Sequence, residues 1–270
     1  MSDFELGRQY DTVNVYRKGA AARIELNRPE SMNAWNKQLG LDLLAALRAV
    51  AEDADVRAVL VTGAGRAFSS GADLKEEPQR TQAGHRDVYS VLTERYHPII
   101  LTIREMPKPV VAAVNGAAAG IGLSLALACD LILAAESAYI VLAFVNIGLV
   151  PDGGSSLLVP ERVGIARATE LAMLGERLAA RQALEWGLIN QVWPDDELAS
   201  RAGKLVTRLA EGPTRSYAGT KRELNNWLYH RMREQLELEA QIQQEMAESG
   251  DFAEGVAAFA EKRQPRFTGA

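Results

Sequence analysis

Residues 110–129, VVAAVNGAAAGIGLSLALAC, run for twenty positions without a charged side chain. Such a segment has to be buried, either in lipid or in a protein core. Gly116 and Gly120 form a small-xxx-small pair, a spacing also used between membrane helices. However, an Asn-Gly turn interrupts the run, Ala and Gly make up much of it, and neither end carries an aromatic belt. The segment therefore reads as a buried strand, a tight turn and a buried helix rather than a membrane span.

The same order of signals surrounds it. Strand-like runs lie at 12–18, 21–26, 57–63, 108–116, 130–136, 138–142 and 188–194, and helical patterns at 37–53, 88–106 and 122–129. VLVTGAGRAFSSGADL and VVAAVNGAAAGIGLSLAL are loosely self-similar, which predicts stacked ββα-like units on one α/β core. Beyond about residue 160 the pattern is nearly all helical, at 166–174, 180–187, 196–212, 214–228 and 231–249, with a last amphipathic piece from 251. Helices as polar as 231–249 are expected on a surface or against another subunit. EEPQRTQAGHR, 76–86, is the expected mobile loop.

With 270 residues, 47% of them hydrophobic, the chain can bury a full-sized core. A net charge of −5 and no Lys/Arg run longer than two argue against nucleic acid or anionic lipid as partner. One cysteine, Cys129, and three scattered histidines predict neither a disulfide nor a metal site, in keeping with a reducing cytoplasm. The start, MSDFELGRQYDT, has no apolar stretch of the kind a secretory signal needs.

GAGRAF at 63–68 lacks the third glycine, the immediate helix and the later acid of a dinucleotide fingerprint, and reads as a turn. FSSGADL (68–74) and AAGIG (118–122) carry two readings. Each follows a buried strand, and the second runs into an apolar helix whose first N–H groups lack partners, so together they could form an oxyanion hole. They could equally be close-packed turns. Asp152, in IGLVPDGGSS, is either the N-cap of the following segment or an acid held in apolar surroundings as a proton shuttle. His97, in ERYHPIIL, is eligible as a base and as a buried structural residue. Glu76 and Glu77 read as solubilising, Cys129 as packing, and no G-x-S-x-G motif is present.

LNRPESMNAW, GRAFSSGADLKE, MPKPVVAAVNGAAAGIGLSLALACDLILA, IGLVPDGGSS and FAEKRQPRF, in this order, resemble the enoyl-CoA hydratase/isomerase family, or crotonase superfamily, over nearly the whole chain. The resemblance implies a crotonase-like spiral of ββα turns, a core over 1–195 with the CoA and active sites, and a helical oligomerisation region over 196–270 that builds trimers or hexamers. It places the oxyanion hole on the N–H groups of Ala72 and Ile121, where most relatives have glycine at the latter, so the isoleucine side chain must point away from the thioester. It places CoA contacts on Arg28, Ala34, Ser70, Asp73, Leu74 and Lys75, with Phe259 and Lys262 reaching CoA on a neighbouring subunit. No permanent cofactor is implied; the CoA thioester is the substrate.

Where hydratases of the family carry their two glutamates, this sequence has Ser124 and Phe144. Asp152 remains, at the position used by relatives that move protons. The phrase GLVPDGG and the C-terminal ending look most like ring-epoxide isomerases that also act on enoyl-CoA. The resemblance thus implies a double-bond isomerase with Asp152 as the shuttle. Three other readings are a hydratase using Asp152 with His97, an aryl-CoA dehalogenase using the same pair, and a non-catalytic acyl-CoA binder. Scarce aromatics near the site argue against the dehalogenase.

Overall fold

The computed structural model describes residues 4–270. Its larger sheet runs in the order β1 (Glu5–Gln9), β2 (Val13–Lys18), β3 (Ala21–Leu26), β4 (Ala58–Gly63), β6 (Val110–Val114), β8 (Leu131–Ala135) and β11 (Gln191–Trp193). The first three strands pair antiparallel, and from β3 onward every pairing is parallel. The smaller sheet holds β10 (Leu178–Ala179), β9 (Tyr139–Val141), β7 (Ala117–Ala119) and β5 (Ala67–Ser69), in that order.

These two sheets explain the self-similarity in the sequence. Each of β4, β6 and β8 is followed by a short strand in the smaller sheet and then by a helix, so the chain winds as a spiral of ββα turns. Parallel pairing of β5 with β7 and of β7 with β9 stacks successive turns directly on one another. Every residue of β4 and β6 is buried, as expected of parallel strands covered on both faces. Helix α1 (Lys37–Glu52) packs on β2 and β3, and the long amphipathic α8 (Asp195–Glu211) packs on β4, β6 and β8. The charge-free run supplies β6, β7 and α4 (Ile121–Ala128), whose residues are all buried because the helix is apolar all round.

Residues 88–105 form one continuous helical element: α2 (Val88–Val91), a π turn (Leu92–Tyr96) and α3 (His97–Glu105). The remaining helices are α5 (Ser155–Val163), α6 (Ile165–Leu174), α7 (Ala180–Glu185), α9 (Thr214–Leu228), α10 (Met232–Ala247) and α11 (Gly250–Glu261). The segment 76–86 is tied at its base, where Asp87 N–H donates to Gln79 O at 2.8 Å and Thr81 N–H to His85 O at 2.9 Å. The polar helix at 231–249 lies at the surface as expected, with Arg233 and Leu238 exposed on its outer side. One face of α10 buries Met232, Leu236, Glu239, Ala240, Gln243 and Ala247 within its own chain.

Candidate active site

The glycine loops after β5 and β7 meet backbone to backbone. Gly71 has φ +93° and Gly120 φ +50°, both in the region that favours glycine. A Cβ on Gly71 would stand 3.0 Å from Ala119 O, and one on Gly122 would stand 2.6 Å from the Cβ of Ser69. Trp35 bridges the first loop: its N–H donates to Gly71 O at 2.7 Å, and Asp73 N–H donates to Trp35 O at 3.0 Å. In a parallel bridge of this kind the intervening Ala72 turns its own N–H away from Trp35. Ile121 is the first residue of α4, so its N–H has no acceptor within the helix. Its side chain is buried and lies under the next turn, with Cδ1 2.6 Å from where a Cβ on Gly153 would be.

That turn carries Asp152, only 5% exposed, which lines a cavity of about 680 Å³ together with Ala72, Trp35, Tyr96, Leu149 and Phe252. Asp152 Oδ2 accepts a hydrogen bond from Gln243 Nε2 at 2.7 Å, while Oδ1 is buried without a partner. Burial, and secondarily the charge of Glu239, push the Asp152 pKa up to about 8 against the Gln243 hydrogen bond. Protonated and ionised forms are then both accessible near neutral pH.

The capping reading of Asp152 is overturned. Helix α5 begins at Ser155 behind Gly154, and no side chain of its N-cap residue bonds to it. Asp152 contributes only its backbone carbonyl, which accepts from Ser155 N–H at 3.1 Å and from the hydroxyls of Ser155 and Ser124, both at 2.8 Å. The acid that does satisfy the helix start is Glu239 of α10, which accepts from Gly154 N–H at 2.7 Å and Ser156 N–H at 3.1 Å. Burial pushes the Glu239 pKa up to about 7. Sequence reasoning missed Glu239 and Gln243, because their partners stand more than eighty residues away. A four-residue polar spacing along α10 was the available signal.

The other expected site residues divide. Ser124 spends its hydroxyl on the Asp152 and Gly120 carbonyls and is fully buried, so it stands behind the Asp152 turn rather than in the cavity. Phe144 is buried against Gly120 and likewise does not line the cavity. His97 is also absent from the cavity wall; the π turn brings Tyr96 to it instead. Its Nε2 is buried without a partner, and burial lowers its pKa to about 4, so the ring is neutral at physiological pH. The expected scarcity of aromatics is a correction too. Trp35 and Tyr96 meet edge to face at 5.1 Å, and Phe252 joins them in the wall.

Of the residues assigned to CoA, Asp73 and Leu74 line the cavity. Arg28 donates to the Ala34 carbonyl and pairs with Asp73 Oδ2 at 3.0 Å, so these three form one cluster. The Ser70 hydroxyl donates to Ser31 O at 3.3 Å, and Lys75 N–H to Asp73 Oδ1 at 3.2 Å. Phe259 is exposed, and Lys262, also exposed, ends α11 in a left-handed conformation; both stand apart from the cavity. Among the described residues no helix is long and apolar enough to cross a membrane, and no cluster of His, Cys, Asp or Glu could hold a metal ion.

Residues 17–270 match the family model of enoyl-CoA hydratase/isomerase. The chain belongs to that family. It is 42% identical over 260 residues to a probable enoyl-CoA hydratase of Rhodobacter capsulatus, covering 96% of this chain and 99% of that one. It is also 42% identical over 246 residues to the 1,2-epoxyphenylacetyl-CoA isomerase of Escherichia coli, covering 91% and 94%. The crystal structure of an enoyl-CoA hydratase from Mycobacterium avium subsp. paratuberculosis matches with a TM-score of 0.87 at 38% identity, over 96% of this chain and all of that one. The crotonase-like fold anticipated from sequence is therefore present, and the protein is an enzyme of the hydratase/isomerase family.

Proposed function

We propose that this enzyme shifts a double bond in a CoA thioester, with Asp152 carrying the proton. The observation that supports this most is the state of Asp152 itself, a buried carboxylate on the cavity wall with Oδ2 held and Oδ1 unpaired. Ser124 and Phe144, at the places of the hydratase glutamates, offer no second acid to activate water. In the proposed reaction the thioester oxygen accepts hydrogen bonds from the N–H groups of Ala72 and Ile121, which acidifies the adjacent or vinylogous carbon. Asp152 Oδ1 takes that proton and returns it two carbons away, so one carboxylate serves both transfers. Leu149, Tyr96 and Phe252 keep the enolate dry. CoA lies along Arg28, Ala34, Ser70, Asp73, Leu74 and Lys75, with Phe259 and Lys262 from a neighbouring copy. Residues 196–270 carry the contacts of a trimer or hexamer, which sedimentation equilibrium would test.

The decisive experiment follows deuterium from solvent into 3-enoyl-, 2-enoyl- and phenylacetyl-type CoA esters, with Asp152→Asn in parallel. Label beside the carbonyl or at the allylic carbon, lost in the variant and without gain of water, is expected. Normal isomerisation by Asp152→Asn would remove the assignment. Net addition of water would make the enzyme a hydratase, chloride release from a halobenzoyl ester a dehalogenase, and tight ester binding without exchange a binder.

A further inference from the structure

Gln235, Glu239 and Gln243 recur every four residues along α10 and so share one face of the helix. All three bond to the short segment around Asp152. Gln235 Nε2 donates to the Ser156 hydroxyl at 2.8 Å. Glu239 takes the Gly154 and Ser156 N–H groups and also the Ser156 hydroxyl. Gln243 donates to Asp152 Oδ2 and accepts from Val150 N–H at 3.2 Å. Glu239 is 2% exposed and Gln243 0%.

A helix start can be satisfied by a local Ser or Asp. Placing a carboxylate from a distant helix there, beside a second buried carboxylate, costs far more, since buried charges of like sign disfavour each other's ionisation. Capping of α5 therefore accounts for Glu239 only in part. Its charge acts on Asp152, while Gln243 acts on the same group in the opposite sense by stabilising the ionised form.

We propose that the α10 stripe is the positioning device of the reactive carboxylate: Gln243 fixes Oδ2 so that Oδ1 alone meets substrate, and Glu239 sets a second buried negative charge behind it that favours the protonated acid. The Asp152 role itself rests on the function proposed above. Of the other ionisable groups around Asp152, Tyr96 is the one on the π turn, where burial and the Asp152 charge hold its phenol neutral. Around the rest of the cavity stand Lys37, Asp73, Glu76, Glu77, Arg86, Asp87 and Arg95. None of these is on α10, so substitutions there isolate the stripe.

The test is a carboxyl ¹³C NMR titration of the full-length protein, with Asp152 assigned by difference from Asp152→Asn, alongside the pH profile of deuterium exchange on the ester that the panel selects. Glu239→Gln is expected to move the Asp152 midpoint down by about one pH unit, and Gln243→Leu to move it up by a similar amount. The rising limb of the exchange profile should follow each shift. A structural role would move both variants in the same direction or neither. Unmoved midpoints, or a shift of the same sign in both, overturn the proposal. If near-UV circular dichroism shows that Glu239→Gln does not fold, Gln243→Leu alone decides, an upward shift supporting the stripe and no shift overturning it. Persistent exchange in Asp152→Asn would instead defeat the functional reading, while the NMR midpoints would still report on the stripe.

Discussion

The loops after β5 and β7 meet the Asp152 turn with backbone and small side chains, whereas α10 meets it with long polar ones. In the loops, positive φ at Gly71 and Gly120 and close approach at Gly122 set which residues are tolerated. In α10, tolerance is set by hydrogen-bonding capacity at Glu239 and Gln243. In the proposed reaction the first region would work through N–H groups that every residue except proline possesses, provided the chain can reach the required conformation. The second works through specific atoms delivered from far along the sequence. A substitution that adds one carbon is therefore disruptive in the loops, while in α10 it is the loss of a polar atom that matters.

Gly122→Ala tests the loop side most severely. Gly122 has an ordinary helical φ, so alanine brings no backbone strain, only a Cβ 2.6 Å from that of Ser69. The two loops must part to admit it. Turnover is expected to fall by about a hundredfold or more, the scale seen when one oxyanion donor is lost, with the helical circular dichroism signal largely kept. Near-normal turnover would show that the spacing of these loops is not what the chemistry needs.

The same contrast explains how much was legible in the sequence. The main strands, the long helices and both glycine loops announce themselves locally, through alternation, charge-free runs and turn residues within ten or so positions. The short strands β5, β7 and β10 do not, because three or fewer residues carry no period; they exist through pairing, β5 with β7, β7 with β9 and β10 with β9. β1 is polar and exposed, so burial left no trace in its pattern. Asp152 could be singled out, but its role could not be settled from sequence, since an acid before Gly-Gly-Ser-Ser is a good cap until another residue is seen doing the capping. Glu239 was invisible in that role, as a polar helix face looks the same toward water and toward a buried turn.

On the α10 side, Asp152→Asn should change stability in a pH-dependent way. Its carboxyl pKa is raised from 3.8 to about 8 by folding, so the native state favours the protonated form. The favourable contribution is fully present below the unfolded value and is lost as pH rises through the folded one. Asparagine removes that dependence. Thermal unfolding between pH 4 and pH 9 is expected to show the variant gaining on the wild type as pH rises, by on the order of a few kcal/mol at the alkaline end. A constant difference across this range would mean that Asp152 is ionised as easily in the fold as in water.

Glu239→Ala should be smaller in effect and opposite in sign. It leaves the buried Gly154 N–H and the Ser156 N–H without their acceptor, which costs about 1–3 kcal/mol in urea unfolding. Glu239→Gln keeps one acceptor oxygen and should lose less. Equal losses would indicate that charge, rather than capping, holds the turn in place.

The outer face of the same helix gives the smallest effect and the sharpest control. Arg233 pairs with Glu105 at the end of α3, but the two side chains are 67% and 55% exposed. Water and salt screen such a pair, and holding two long side chains in one geometry offsets much of the attraction. Arg233→Ala is therefore expected to change stability by less than about 0.5 kcal/mol and to leave the exchange rate on the thioester unaltered. The helix would then be held by the face it turns inward, where Met232, Leu236 and Ala240 pack beside the polar stripe. If Arg233→Ala instead cost as much as Glu239→Ala, the docking of α10 would depend on its exposed charges. High salt would then be expected to slow proton exchange at Asp152, which the buried contacts alone do not predict.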